Sequence, residues 1–244
     1  MGHVSIAEIL ADAGFDWVVV ETEHTAIDVS EVLHLLIAIE GRGAVPLVRL
    51  AWNDPIQAKA VMDSGAAGVI VPMVNSKEEA ELAVKSVKYP PEGFRGVGLA
   101  RAQGYGVRFD EYMDSANRDG LLMLQIEHID AVNNIEEILS VPGIDGTYIG
   151  PYDLSCSMGL AGQLSHPDVE AAKLRVLEAT KERGLAPGIH LVHPDTAHEE
   201  LARHVEQGFR FIALGTDILF LGDSARDLHA AARNALGESA RDSS

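Results

Sequence analysis

Glu127 and Asp153 are the residues of this chain whose types and placement point most directly to chemistry. Each sits where a short apolar run gives way to a loop: Glu127 after Leu121-Leu122-Met123-Leu124-Gln125-Ile126, and Asp153 after Tyr148-Ile149-Gly150-Pro151-Tyr152. If both runs are parallel strands of a barrel, their C-terminal ends open on one mouth. Two carboxylates there supply the hard oxygen ligands that a divalent cation takes. The competing reading makes each a solvated loop acid.

The same test, asking which polar groups stand at strand C-termini, finds more. Glu21, Glu23 and His24 follow the first apolar run, Arg49 closes the second, Gln125 precedes Glu127, and His190 ends the sixth. His24 is a candidate base, as the side-chain type best suited to moving protons at neutral pH, with Glu21 three residues earlier as the acid that could orient it. Its alternative is a loop histidine bonded to backbone. Arg49 ends an apolar strand, where an unpaired guanidinium is costly. It serves a substrate carboxylate or a developing oxyanion, or it forms a structural ion pair with Glu21 or Glu127. Asp63, in Met62-Asp63-Ser64-Gly65, is a weaker candidate, with a helix-terminal surface acid as its alternative. His190 and His193 could line an entrance, though plain loop roles suffice for both. Lys59, Lys77, Lys85, Lys88, Lys173 and Lys181 all fall on expected helices. None ends a strand, so a Schiff-base mechanism has no candidate lysine, and carbonyl chemistry would need a metal as Lewis acid.

The elements that must position these groups are legible as seven strand-like segments: Trp17–Thr22, Pro46–Leu50, Gly68–Val74, Leu121–Glu127, Gly146–Gly150, Ala186–His190 and Phe211–Gly215. Most are continuously apolar, as strands covered on both faces are. Helical spacing falls between them, as in Val29, Val32, Leu33, Leu36 and Ile37. Ser5 with Glu8 and Ser76 with Glu79 have capping-box spacing. Asp54-Pro55 and His166-Pro167-Asp168 read as helix starts, and Asp223 as the cap of the last helix. Strict alternation of strand and helix specifies a parallel sheet. Seven such units suggest a (β/α)8 TIM barrel over residues 1–236 with its first strand missing, since the chain opens directly into a helix. An open doubly wound sheet is the other arrangement this pattern allows. Residues 237–244 are expected to be a disordered tail. The segment from Tyr89 to about Val107 is the longest irregular stretch, and its length suits a functional or subunit-contact loop.

Composition narrows the function. A formal charge of −18 over 244 residues argues against nucleic acid and against an anionic membrane surface. No apolar run approaches the roughly 20 residues of a membrane span, and no signal-peptide pattern opens the chain. Cys156 is the single cysteine, which rules out an internal disulfide and fits a cytoplasmic setting.

Taken in order, several motifs resemble the metal-dependent (class II) pyruvate aldolases of the HpcH/HpaI family. They are Phe15-Asp16-Trp17 leading to Glu21-Thr22-Glu23-His24, Pro46-Leu47-Val48-Arg49 with Asn53-Asp54-Pro55, and Asp63-Ser64-Gly65-Ala66. Tyr89-Pro90-Pro91-Glu92-Gly93 with Arg95-Gly96, Gln125-Ile126-Glu127, Gly150-Pro151-Tyr152-Asp153-Leu154-Ser155 and His166-Pro167 complete the set. The resemblance implies a TIM barrel assembled as a hexamer, a trimer of dimers that exchange a C-terminal helix. It implies that Glu127 and Asp153 bind Mg2+, Mn2+ or Co2+, and that Arg49 holds the keto oxygen of a 2-oxo acid. Backbone around Gly150 and Tyr152, with Gln125 and Asp153 nearby, would bind substrate. His24 supported by Glu21 would relay the proton of a C4 hydroxyl, with Asp63 helping to order water or a neighbouring subunit's loop. The implied reaction is cleavage of a 4-hydroxy-2-oxo acid to pyruvate and an aldehyde.

The chain departs from the family pattern in three places. Glu21 stands where aspartate is usual, Thr25-Ala26 replaces a small residue and proline, and the first strand is not in evidence. Two other readings stay open on these residues: a C–C lyase of acyl-CoA thioesters, related to the citrate lyase β-subunit and malyl-CoA lyase, and a non-catalytic barrel that binds a metal and a 2-oxo acid.

Overall fold

The computed structural model describes residues 1–236; the expected tail at 237–244 lies outside them. In chain order the elements are α1 (Val4–Asp12), β1 (Trp17–Glu21), α2 (Val29–Gly41), β2 (Val45–Arg49), α3 (Pro55–Asp63), β3 (Gly68–Val71) and α4 (Lys77–Val87). A 3-10 turn at Arg101–Gln103 precedes α5 (Phe109–Asp119), β4 (Leu121–Ile126), α6 (Ile129–Asn133), α7 (Ile135–Ile138), β5 (Gly146–Ile149) and α8 (Pro151–Ser157). The chain continues with α9 (Pro167–Glu182), β6 (Ala186–Leu191), α10 (Pro194–Gln207), β7 (Phe211–Leu214) and α11 (Asp217–Ala235).

The strands form one parallel sheet in the order β1-β2-β3-β4-β5-β6-β7. Every strand therefore ends at the same rim. β1 pairs only with β2, and β7 only with β6. The sheet nevertheless curls until its two edges face each other: Trp17 of β1 stacks on Phe211 of β7, ring centroids 4.3 Å apart and planes 2° from parallel. Among the described residues the architecture is thus a seven-stranded curled sheet with an open seam where the expected closed barrel would carry one more strand. A cavity of about 400 Å³ runs along that seam to the rim. The N-terminal amine of Met1 closes on Asp217 Oδ2 at 2.6 Å, which holds the start of the chain against the first turn of α11.

The alternation of strand side chains divides the core in two. Outward residues such as Leu122, Leu124 and Ile126 are fully buried between sheet and helices. Truncating one of these to alanine costs about 2–5 kcal/mol. Inward residues Leu47, Ile70, Met123, Tyr148, Phe211 and Ala213 fill the interior with Trp17 and Val19. The same period carries the inward line up to the rim: Val19 leads to Glu21, Leu47 to Arg49, and Met123 to Gln125. The interior floor is therefore apolar and its top layer is charged.

Most expected boundaries match to within a residue or two. The third strand stops at Val71 rather than Val74, because Pro72 has no N–H for the ladder and Met73 turns to a left-handed φ of 54°. The first helix is capped by His3, whose ring accepts from the Ser5 amide at 3.2 Å, so Ser5 and Glu8 lie inside it and make no box. Ser76 with Glu79, Asp54 and His166 cap as expected. Asp223 does not cap the last helix, which begins at Asp217; it lies within the helix and pairs with Arg226. α5 has no counterpart in the sequence reading. Phe109, Tyr112, Met113 and Ala116 recur along it at helical spacing, a stripe open to detection although only Ala116 is buried. Among the described residues no helix is long and apolar enough to cross a membrane.

Candidate active site

A connected polar set occupies the rim at the C-terminal ends of β1, β2 and β4. Arg49 is its centre. Its Nε donates to Glu21 Oε2 at 2.5 Å, its Nη2 pairs with the same oxygen, and its Nη1 donates to Gln125 Oε1 at 3.3 Å. Glu23 Oε2 lies 3.2 Å from Nη1. Gln125 in turn donates from Nε2 to Glu127 Oε2, and Glu127 Oε1 accepts from the Met73 amide at 2.9 Å. Gln125 and Glu127 reach the same face because they are two residues apart on β4 and its continuation. Met73 aims its N–H at Glu127 from the left-handed turn after β3.

Burial and charge set the protonation tendencies. Burial works against the charge on Arg49, but Glu21 and Glu23 outweigh it and raise its pKa, so the guanidinium stays cationic. Glu127 is buried, and that burial pushes its pKa up. The Gln125 and Met73 hydrogen bonds pull it back, and the negative charge of Asp153 pushes it further up. Glu23 rises to about 7, burial again outweighing Arg49. Below the rim, Tyr148 is raised by burial. His190, whose Nε2 is 3.2 Å from Gly215 O, is lowered by burial.

Asp153 lies in the first turn of α8 and is exposed. Its charge reaches Glu127, so the two acids face one region. Gly150, the cap of α8, makes room there: a Cβ on it would fall 2.8 Å from Glu127 Oε2 and 3.1 Å from Glu127 Cβ. Its own amide is spent on Ile126 O at 3.3 Å, so it contributes space rather than a donor. The amides of Tyr152 and Asp153 are first-turn donors with no acceptor inside the helix, and the Tyr152 ring is exposed. Among the described residues no group of three or more His, Cys, Asp and Glu side chains gathers in ligating range. The protein's donors at this spot are two carboxylates, and such a pair suits an octahedral cation that keeps positions for substrate oxygens and water. The cradle left by Gly150 against a buried carboxylate fits that use.

His24 lies on the loop after β1, exposed, with Nε2 3.7 Å from Glu23 Oε2. Glu21 does not touch its ring. Glu21 Oε1 accepts from the backbone amides of Glu23 and His24 at 2.6 and 3.1 Å, and Oε2 is taken by Arg49. The ion pair weighed as the alternative for Arg49 is thus present, and it is part of the rim. Asp63 is elsewhere. It ends α3, next to the strand N-termini, and binds Arg95 Nη2 at 2.6 Å. Within this chain the topology separates it from the rim, because α3 runs antiparallel to the strands and finishes at their opposite end.

The groups that the sequence reading left without a role are Glu23, Tyr148 and the Met73 amide. Strand alternation could have found Tyr148. It fails for Glu23, because β1 has ended by Thr22. No pattern marks Met73, whose part depends on a backbone turn. Lys88 and Lys173 are buried but far from this chemistry: Lys88 Nζ is held by Asn117 O and Gly120 O, and Lys173 Nζ lies 2.5 Å from Glu170.

The chain is 44% identical over 227 residues to a 4-hydroxy-2-oxo-heptane-1,7-dioate aldolase of Shigella sonnei, covering 92% of this chain and 84% of that one. A solved HpcH/HpaI aldolase/citrate lyase family protein from Burkholderia cenocepacia superposes with a TM-score of 0.89 at 34% identity, over 96% of this chain and 91% of that one. An HpcH/HpaI aldolase from Desulfitobacterium hafniense gives the same TM-score at 31% identity, over 96% and 89%. The family model of HpcH/HpaI aldolase/citrate lyase matches residues 2–222. The chain belongs to the HpcH/HpaI aldolase/citrate lyase family.

Proposed function

We propose that this protein is a class II aldolase that cleaves a 4-hydroxy-2-oxo acid to pyruvate and an aldehyde, reversibly. The observation that carries this reading is the joining of Arg49, Gln125 and Glu127 into one hydrogen-bonded line at the rim, in a chain 44% identical to a protein named for that activity. Glu127 and Asp153 would hold a divalent metal, Mg2+, Mn2+ or Co2+, which when bound supplies Lewis-acid polarisation of the 2-oxo acid.

The residues divide the remaining work. Arg49 keeps N–H groups beyond those given to Glu21 and Gln125 and presents them to the keto oxygen. The first-turn amides at Tyr152 and Asp153 receive the substrate carboxylate. His24 takes the proton of the C4 hydroxyl, directly or through water. The C4 oxygen then forms a carbonyl, the C3–C4 bond breaks, and its electron pair passes into the enolate of pyruvate. Arg49 neutralises the charge on that enolate oxygen in a site where burial strengthens the attraction. Proton return to C3 completes pyruvate.

The same reading covers assembly and setting. None of the residues of α11 is buried, and Ile218, Leu221 and Leu228 are exposed. A helix with this apolar face suits exchange between copies, and the family resemblance extends it to a homohexamer built as a trimer of dimers. Asp63 would act at such a boundary. The enzyme would work in the cytoplasm, where Cys156 stays reduced.

The test is pyruvate release from a small panel of 4-hydroxy-2-oxo acids in the presence of Mn2+ or Mg2+. Release from at least one panel member is expected. Failure on all of them, with cleavage of a 3-hydroxyacyl-CoA thioester instead, would move the protein to the other branch of its family.

A further inference from the structure

The first acid of the Glu21-Thr22-Glu23-His24 motif does not meet the histidine. Both oxygens of Glu21 are committed, one to two backbone amides and the other to Arg49. They fix the turn and the guanidinium and leave the imidazole alone. The second acid is placed differently. Glu23 Oε2 is buried and has no hydrogen-bond partner. It lies between two cationic or potentially cationic groups, 3.2 Å from Arg49 Nη1 and 3.7 Å from His24 Nε2. The His24 ring has no other ion-pair or hydrogen-bond partner among the described residues, and its side chain is 65% exposed, so it can turn.

A buried carboxylate oxygen left without a hydrogen bond is costly. A rotation of the His24 ring that closes the 3.7 Å gap by less than an ångström would satisfy it. That rotation also fixes the ring. With Nε2 held by Glu23, Nδ1 is left to face outward toward substrate or water, and the tautomer is set by the bond the other nitrogen makes. Arg49 does not depend on this contact, because Glu21 grips it through two nitrogens and Gln125 through the third. Loss of Glu23 should therefore disturb the base more than the guanidinium.

We propose that Glu23 is the positioning residue of this site: its Oε2 bridges the His24 imidazole to Arg49 and aims the base, a task that the order of the motif would give to Glu21. The proposal rests on the aldolase reading for its kinetic consequence but not for its geometry. The raised pKa of Glu23 agrees with the placement, since burial outweighs Arg49 while Glu127 and Glu21 oppose the charge and His24 favours it.

The experiment joins kinetics to a spectrum. In the metal-loaded protein, Glu23→Gln should lower kcat for 4-hydroxy-2-oxo acid cleavage at least tenfold and leave KM within threefold. Combined with His24→Asn, it should add less than twofold to the loss from His24→Asn alone, because partners in one unit are not additive. In 15N-labelled protein the His24 Nε2 resonance should move in Glu23→Gln and return toward its original position in Glu23→Asp; Glu23→Asp should likewise recover part of kcat. An unchanged kcat, a fully additive double variant, or a His24 resonance that answers to Glu21→Gln and not to Glu23→Gln would overturn the assignment. The spectrum reads the contact without turnover. A wild-type protein that cleaves no aldol substrate but shows the resonance shift would therefore defeat the aldolase reading and leave the Glu23–His24 pairing standing.

Discussion

Gly150 lies against Glu127 so closely that a side chain on it would strike the carboxylate: an added Cβ falls 2.8 Å from Glu127 Oε2. The φ of Gly150 is −95°, so alanine is sterically allowed by the backbone and the contact alone decides. Gly150→Ala should keep the fold and weaken Mn2+ affinity at least tenfold as Glu127 is displaced. Calorimetric titration beside a thermal melt reads both. Unchanged affinity would mean that Glu127 takes no part in holding metal.

Arg49 neutralises the charge that forms on cleavage. Arg49→Lys keeps a cation but loses the fork that Glu21 and Gln125 hold in register. It should cut kcat/KM by about 10²-fold or more, the scale of removing one oxyanion donor, while Mn2+ still binds. Loss of metal along with turnover would assign Arg49 to scaffolding.

Glu23 gives a pH signature to folding. Its pKa rises from 4.5 to about 7 on folding, so the native state keeps a proton that the unfolded state has already released. Stability from this group is greatest below pH 4.5, falls as pH climbs toward 7, and is then level. The groups facing it are Arg49 from β2, Glu127 beyond β4, and its neighbours Glu21 and His24. In metal-free protein, Glu23→Gln should remove most of this fall in stability between those limits. Melting temperatures across pH 4.5–7.5 give the measurement, and parallel curves for the two proteins would contradict it.

How much of this was legible beforehand follows from which interactions are periodic. The strands were, because apolar runs and parallel alternation recur along the chain. Arg49, Gln125 and Glu127 followed, since a period of two carries the inward face to the rim. What the sequence could not convey is what happens once the strand ends. Glu21 and Glu23 differ only in a turn that the backbone amides of Glu23 and His24 make around Glu21 Oε1. Asp63 reads as a site residue by motif, yet the antiparallel run of α3 carries it to the far rim and to Arg95. Helix α5 was legible in principle from Phe109, Tyr112, Met113 and Ala116 at helical spacing, but its many charged residues and the long irregular stretch before it masked that stripe.

The exposed face of α11 predicts assembly. Leu221→Glu with Leu228→Glu places charge on that face and touches nothing at the rim. Light scattering should record a smaller species than the unsubstituted protein, with its melting temperature changed little. An unchanged mass would leave α11 without a partner and defeat the exchange.

The central claim is that Glu127 and Asp153 share one divalent ion on which cleavage depends. Its most direct measurement is Mn2+ titration of metal-free protein, with pyruvate release followed on the same samples. One ion per chain should bind, and release should be absent before addition and restored in step with occupancy. Binding should be lost in both Glu127→Gln and Asp153→Asn. Full turnover in chelator, or a site that survives either substitution with its affinity intact, would contradict the account.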